Sequence, residues 1–163
     1  VPPVPPRPPA AEARDANREG LRHFREREYG PALEAFRRAG RLSPDEAEYR
    51  NNEGYALLRL GRHREAVAVL EEVVERHPER HVAYANLADA HLARGDTAAA
   101  VATLERLLAL DPPRTRRRLA EAMLERIRPR EADPWRAVPS PEVELATGWS
   151  VPEVVELEVA EHP

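Results

Sequence analysis

The chain has 163 residues, enough for one domain with a real core, but its 17 prolines and 5% aromatic content indicate that not all of it folds. It has no cysteine, which excludes disulfides, thiolate metal sites and thiol nucleophiles, and all 25 of its basic residues are arginine. No apolar run approaches the roughly 20 residues that a membrane helix needs, so the chain is expected to be soluble and to have no membrane partner.

Charge is uneven: residues 13–128 carry 22 arginines against 20 acids, a balance of +2, whereas residues 129–163 carry 2 against 8, a balance of −6. A near-neutral body with an acidic tail gives no basic footprint, so nucleic acid is not an expected partner. The first residue is Val1 rather than methionine, which points to processing or excision and would place any targeting segment upstream. The compartment, cytoplasmic or exported, stays open.

Residues 1–12 read as a proline-rich linker. Pro2, Pro5 and Arg7 make a P-x-x-P-x-R arrangement that as a polyproline II segment could dock on an aromatic groove, with a semi-rigid spacer as the plainer reading.

Beyond it, residue types return at a spacing of 34: Gly20, Gly54 and Ala88; Ala32, Ala66 and Ala100; Phe36, Leu70 and Leu104; Pro44, Pro78 and Pro112. Within a copy, Ala32, Phe36 and Ala39 follow a helical period, and Gly61 and Gly95 stand where a first helix needs a left-handed residue to stop. The sequence therefore predicts helix–turn–helix repeats over 13–46, 47–80 and 81–114. At the first boundary, Ser43-Pro44-Asp45-Glu46 reads as an N-cap serine, a proline at the first helical position and a capping-box glutamate, with Asp111-Pro112 opening the last boundary similarly.

Residues 115–128 predict a capping helix. Leu119, Ala122, Met123 and Ile127 share its apolar face, and arginines 116, 117, 118, 126 and 128 are expected to face water until Pro129 stops it. Residues 129–163 are an acidic, proline-containing tail. Trp135, Trp149 and the alternation Val155-Glu156-Leu157-Glu158-Val159 leave three readings open for it: disorder, addition as a strand to a partner, or docking on the chain's own groove.

These columns resemble the tetratricopeptide repeat family over residues 13–114. Its pattern is matched at Gly20, Ala32, Phe36, Ala39 and Pro44, and at Tyr84 and Leu87 in the third copy. The departures are Glu19 and Glu53 where leucine is usual, and Val73 and Leu107 where a small residue is usual. The resemblance implies an all-α, right-handed superhelix whose first helices line a concave groove that receives a segment of a partner protein.

Carried over position by position, the groove residues are Arg14, Asn17, Arg18, Leu21 and Arg25; then Asn51, Asn52, Tyr55 and Arg59; then Val82, Asn86 and Asp89. The amides of Asn52 and Asn86 can donate to and accept from a peptide backbone at once. The arginines favour an acidic segment or a free carboxylate, against the plain reading of a solvated helix face. The family's chaperone-tail clamp falls on Asn17, Leu21, Asn52, Val82 and Asn86 here, and only Asn52 matches, so a chaperone C-terminal tail is not the expected ligand.

The six histidines form no metal or catalytic motif, no phosphate-binding loop or nucleophile elbow is present, and Glu71 and Glu72 diverge on their helix. No catalytic residue, metal or cofactor is therefore expected. A peptide-binding adaptor with a protein or peptide partner, acidic or supplied by its own tail, is the leading reading; a structural subunit packed in a larger assembly or homo-oligomer is the alternative.

Overall fold

The computed structural model describes residues 8–127. The P-x-x-P-x-R segment and the acidic tail with both tryptophans lie outside the described residues. Seven helices follow in order: α1 (Pro9–Arg25), α2 (Tyr29–Leu42), α3 (Ala47–Arg59), α4 (His63–Arg76), α5 (His81–Ala93), α6 (Thr97–Ala109) and α7 (Arg114–Ile127), with no strand among the described residues. None of these helices is long and apolar enough to cross a membrane.

Helices pack as pairs, α1 on α2, α3 on α4 and α5 on α6, and each second helix also packs on the first helix of the next pair. The result is an all-α solenoid with α7 as its last layer. No pair can bury its apolar stripe alone, and stacking makes the core continuous. Phe36, Leu70 and Leu104, one per repeat, are wholly buried. The small residues opposite them set the spacing within a pair: a Cβ on Gly20 would lie 2.5 Å from the Phe36 ring, and one on Gly54 would lie 2.5 Å from Leu70. The departures Val73 and Leu107 are also core residues, each 2% exposed.

The turns inside the second and third pairs use Gly61 and Gly95 at φ +75° and +79°, as the spacing predicts. In the first pair the equivalent residue is Arg27 at φ +61°, which no glycine signals in the sequence. Its turn is closed by the His23 Nδ1 to Glu28 Oε2 contact at 2.6 Å.

Three local expectations differ from what forms. Helix α1 starts at Pro9, inside the segment expected to be linker, because proline is tolerated in a first helical turn and Ala10, Ala11 and Glu12 are strong helix formers. Ser43 is the C-cap of α2 rather than the N-cap of α3; Glu46 N–H donates to the Ser43 carbonyl at 3.2 Å, making a turn, and α3 begins only at Ala47. Asp111 takes a left-handed φ of +51° after α6, so it ends that helix rather than opening α7.

Helix α7 buries Ala120, Met123 and Leu124. Ala122, expected on the apolar face, is exposed with Arg118, Glu121 and Glu125. In α1, α3 and α5 the corresponding face receives the helix's own partner; α7 instead presents polar groups there, as the end of a stacked array requires. Arg118 and Arg126 are exposed, as predicted, whereas Arg116 and Arg117 are half-buried and Arg117 pairs with Asp111.

The glutamates at leucine positions are accommodated by arginines. Glu19 pairs with Arg38. Glu53, its side chain 5% exposed, accepts from Arg37 Nε at 3.1 Å and from Arg50 Nη1 at 2.6 Å, and Arg50 reaches on to Glu72 at 2.6 Å. One buried carboxylate thus joins α2, α3 and α4 through charge-assisted hydrogen bonds in place of an apolar contact.

Candidate functional site

Helical spacing puts the twelve residues singled out in the sequence on one face of α1, α3 and α5, and along the stack α3 packs against α5 and α5 against α7. Their environments divide them into three sets.

The asparagines form a ladder between layers. Asn52 Nδ2 donates to Asn17 Oδ1 at 3.0 Å, and one repeat later Asn86 Nδ2 donates to Asn51 Oδ1 at 3.0 Å. Asn17 in turn donates to Glu48 Oε1 at 2.8 Å. All four are buried, and Asn86 is wholly enclosed. The next rung would join residues 85 and 120, and both are alanine, so polar meets polar in two layers and apolar meets apolar in the third. Buried amides paired in this way fix which residues face one another along the stack. The oxygen of Asn86 is left buried without a donor.

The second set is aromatic and apolar. Tyr55 stacks on Phe24 with ring centroids 5.0 Å apart, and Phe24 meets Tyr29 edge-on at 5.1 Å. Leu21 and Val82 are also buried. Neither Phe24 nor Tyr29 was singled out by sequence reasoning. The signal for Phe24 is its spacing from Tyr55, since a residue one layer up and a turn back must meet it.

The third set is charged. Arg14, Arg18, Arg25 and Arg59 are exposed. Arg18 pairs with Asp15. Arg59 lies over the Tyr29 ring at 4.8 Å and donates to its hydroxyl at 2.7 Å, so its guanidinium is held in place. Arg14 and Arg25 make no ion pair among the described residues.

Asp89 stands apart as a half-buried carboxylate in an otherwise apolar stretch of α5. Burial pushes its pKa up to about 6, against the opposing pull of the Arg126 guanidinium on α7. Arg126 belongs to the capping helix and was not among the residues expected here. A carboxyl that holds its proton more tightly in the folded state destabilises that state when ionised. The contribution of Asp89 to stability therefore improves as pH falls from neutrality through about 6 toward its unfolded value near 4. Asp89→Asn is expected to stabilise the fold by about 2 kcal/mol at neutral pH, and by far less at about pH 5. Urea unfolding at the two pH values measures both.

Among the described histidines, His91 is buried and His77 lies beside Glu79 at 3.5 Å. Donor atoms of His23, Glu26 and Glu28 converge to within 4.8 Å at the strained first turn, where both carboxylates are exposed.

The tetratricopeptide repeat profile matches residues 17–78 and, overlapping, 51–115. The Hsp70-Hsp90 organizing protein of Triticum aestivum is 35% identical over 100 residues, a match that covers 61% of this chain and 17% of that protein. Among solved structures, the TPR2B domain of yeast Sti1 in complex with pHsp70 is similar at 24% identity and a TM-score of 0.64, covering 72% of this chain and 96% of the other. The first TPR of Spaghetti (RPAP3) bound to the HSP90 peptide SRMEEVD is similar at 21% identity and a TM-score of 0.65, covering 72% and 91%. At these identities the two structures speak to the fold. With the profile covering most of the solenoid, the chain belongs to the tetratricopeptide repeat family.

Proposed function

We propose that the face of α1, α3 and α5 binds an acidic segment of a partner protein, as a non-catalytic interaction module. The observation that carries this reading is the set of exposed arginines, Arg14, Arg18, Arg25 and Arg59, on a face whose asparagines, Leu21, Tyr55 and Val82 are buried. Guanidinium groups pair bidentately with carboxylates, and Arg59 is already oriented by Tyr29, so less rotamer freedom is lost on binding. The similar structures add support, since one is a complex with pHsp70 and the other is bound to the acidic HSP90 peptide SRMEEVD.

The ladder works against a simple transfer of those ligands. At the positions of the chaperone-tail clamp this chain has Leu21, Val82 and three asparagines, and Asn17, Asn52 and Asn86 are bonded to other side chains of the solenoid. On this reading the asparagines set the register of the groove and the arginines hold the ligand.

Titrating a labelled acidic peptide into the chain should show saturable binding that weakens as salt is raised. Arg25→Ala and Arg59→Ala should each weaken it by about three- to tenfold. Unchanged affinity in both variants would remove the acidic-segment reading. The tail, with its balance of −6, is a second candidate occupant. Both tryptophans of the chain lie in it, at 135 and 149, so tryptophan emission compared with the free 129–163 peptide reports on it directly. Identical spectra are expected for a groove open to an external ligand; a blue shift in the whole chain would make the tail its occupant.

A further inference from the structure

The two ends of the groove differ in chemistry. Exposed cations stand on α1 and α3, whereas the groove residues of α5, Val82, Asn86 and Asp89, include none. Asp89 is half-buried with the Arg126 guanidinium as its counter-charge, and one turn before it the buried oxygen of Asn86 has no partner. Both acceptors on this face of α5 are under-supplied, because burial costs Asp89 part of its hydration with only the charge of Arg126 to offset it, and the Asn86 oxygen has no donor.

Two leucines share the register of Asp89. Leu92 follows it by one turn on the same helix face and is half-buried. Leu58 occupies in α3 the place that Phe24 takes in α1. The register that sets Phe24 against Tyr55 therefore sets Leu58 opposite Asp89, and Leu58 too is half-buried. A carboxylate at the end of a short aliphatic strip matches a side chain with a methylene stem and a cationic head, which lays the stem on apolar surface while the head stays polar.

We infer that the α5 end of the groove recognises one lysine or arginine side chain of the bound peptide, with Asp89 accepting from its charged head and Leu58 and Leu92 packing on its stem. This rests on the peptide-binding reading above and adds a polarity to it: the acidic part of the ligand lies toward α1 and α3, and a single basic residue follows at a fixed distance. A ligand cation at Asp89 adds its charge to that of Arg126, so the carboxylate gains a second counter-charge.

Selection of a random peptide library on the whole chain, run in parallel on wild type and Asp89→Asn, tests this. The wild type should enrich acidic peptides with lysine or arginine at one fixed offset from the acidic block, and Asp89→Asn should enrich the acidic block without the basic residue. On a synthetic peptide of the wild-type consensus, replacing the basic residue by glutamine should weaken binding by about tenfold or more to wild type and less than about twofold to Asp89→Asn. The glutamine peptide is read on wild-type protein, so that result does not depend on the folding of the variant. Acidic consensus sequences without a fixed basic residue, the same in both selections, would overturn the inference and leave the acidic-segment reading standing. No enrichment over background in either selection would overturn both.

Discussion

Replacing Glu53 by alanine is expected to destabilise the chain by about 3 kcal/mol, read as a lower midpoint of urea unfolding. The carboxylate is almost wholly enclosed, and its two oxygens hold Arg37 and Arg50. Removing it leaves two guanidinium groups facing a cavity. Arg50 would keep Glu72 as a partner, and Arg37 would keep the weaker contacts to Glu34 and Glu65 at 3.7 Å each. Losing one member of a buried charged set costs more than the set contributes as a whole. The third repeat supplies the control, because it has Tyr84 and Leu87 at the places of Arg50 and Glu53. Arg50→Tyr with Glu53→Leu should recover most of the loss, to within about 1 kcal/mol of wild type, since an apolar pair of similar volume often replaces a buried ionic one at little cost. If Glu53→Ala alone were neutral, the arginine–glutamate set would be a surface feature and would not hold α2, α3 and α4 together. The same set has an acid limit. The hydrogen bond from Arg50 holds the Glu72 carboxyl below its ordinary range, so that stability is present above the usual carboxylate pKa and is lost as pH falls through the lowered one.

The fold was legible because the repeat prints its packing in the sequence. Small and large apolar residues recur at the 34-residue spacing, and Gly61 and Gly95 mark two of the three internal turns. What could not be read was mostly a matter of partners. Arg27 holds the same turn with a left-handed φ but no glycine, and nothing local announces it. Ser43 looks like an N-cap because serine followed by proline is a common helix opening, yet the same residues also close a turn, and only the distance to the next buried residue decides between them. Glu19 and Glu53 looked like faults in the core because the arginines that satisfy them lie on other helices.

The candidate site was legible to a similar depth. Family positions locate the face, but not whether a side chain on it is free. Asn17, Asn51, Asn52 and Asn86 have the chemistry to hold a peptide backbone, and in the fold they bond to groups within the solenoid instead. The pairing was latent in the sequence: asparagines at 17 and 52, and at 51 and 86, share a spacing of 35, and the next pair at that spacing is alanine with alanine. Asp89 carried no such signal, because its raised pKa comes from burial in the folded chain, opposed by Arg126 on a helix outside the three repeats.

The close approach of α1 to α2 gives the last expectation, a graded series at one contact. Phe36 is wholly buried against Gly20, so Phe36→Ala should cost about 4 kcal/mol through the cavity it leaves. Gly20→Ala should cost about 2 kcal/mol in the opposite sense: the new Cβ would stand 2.5 and 2.6 Å from two ring atoms, and an enclosed ring has nowhere to retreat. This outweighs the gain of about 1 kcal/mol in helix propensity. The third repeat already uses Ala88 with Leu104. Gly20→Ala combined with Phe36→Leu copies that pair and should return to within about 1 kcal/mol of wild type, and Gly54→Ala, which makes the same pair with Leu70, should cost no more than about 1 kcal/mol. Additive losses in the double variant would mean that the two repeats do not share one packing solution. Rescue would mean that the spacing between paired helices, and with it the position of the arginines on α1, is set by the summed volume of two side chains.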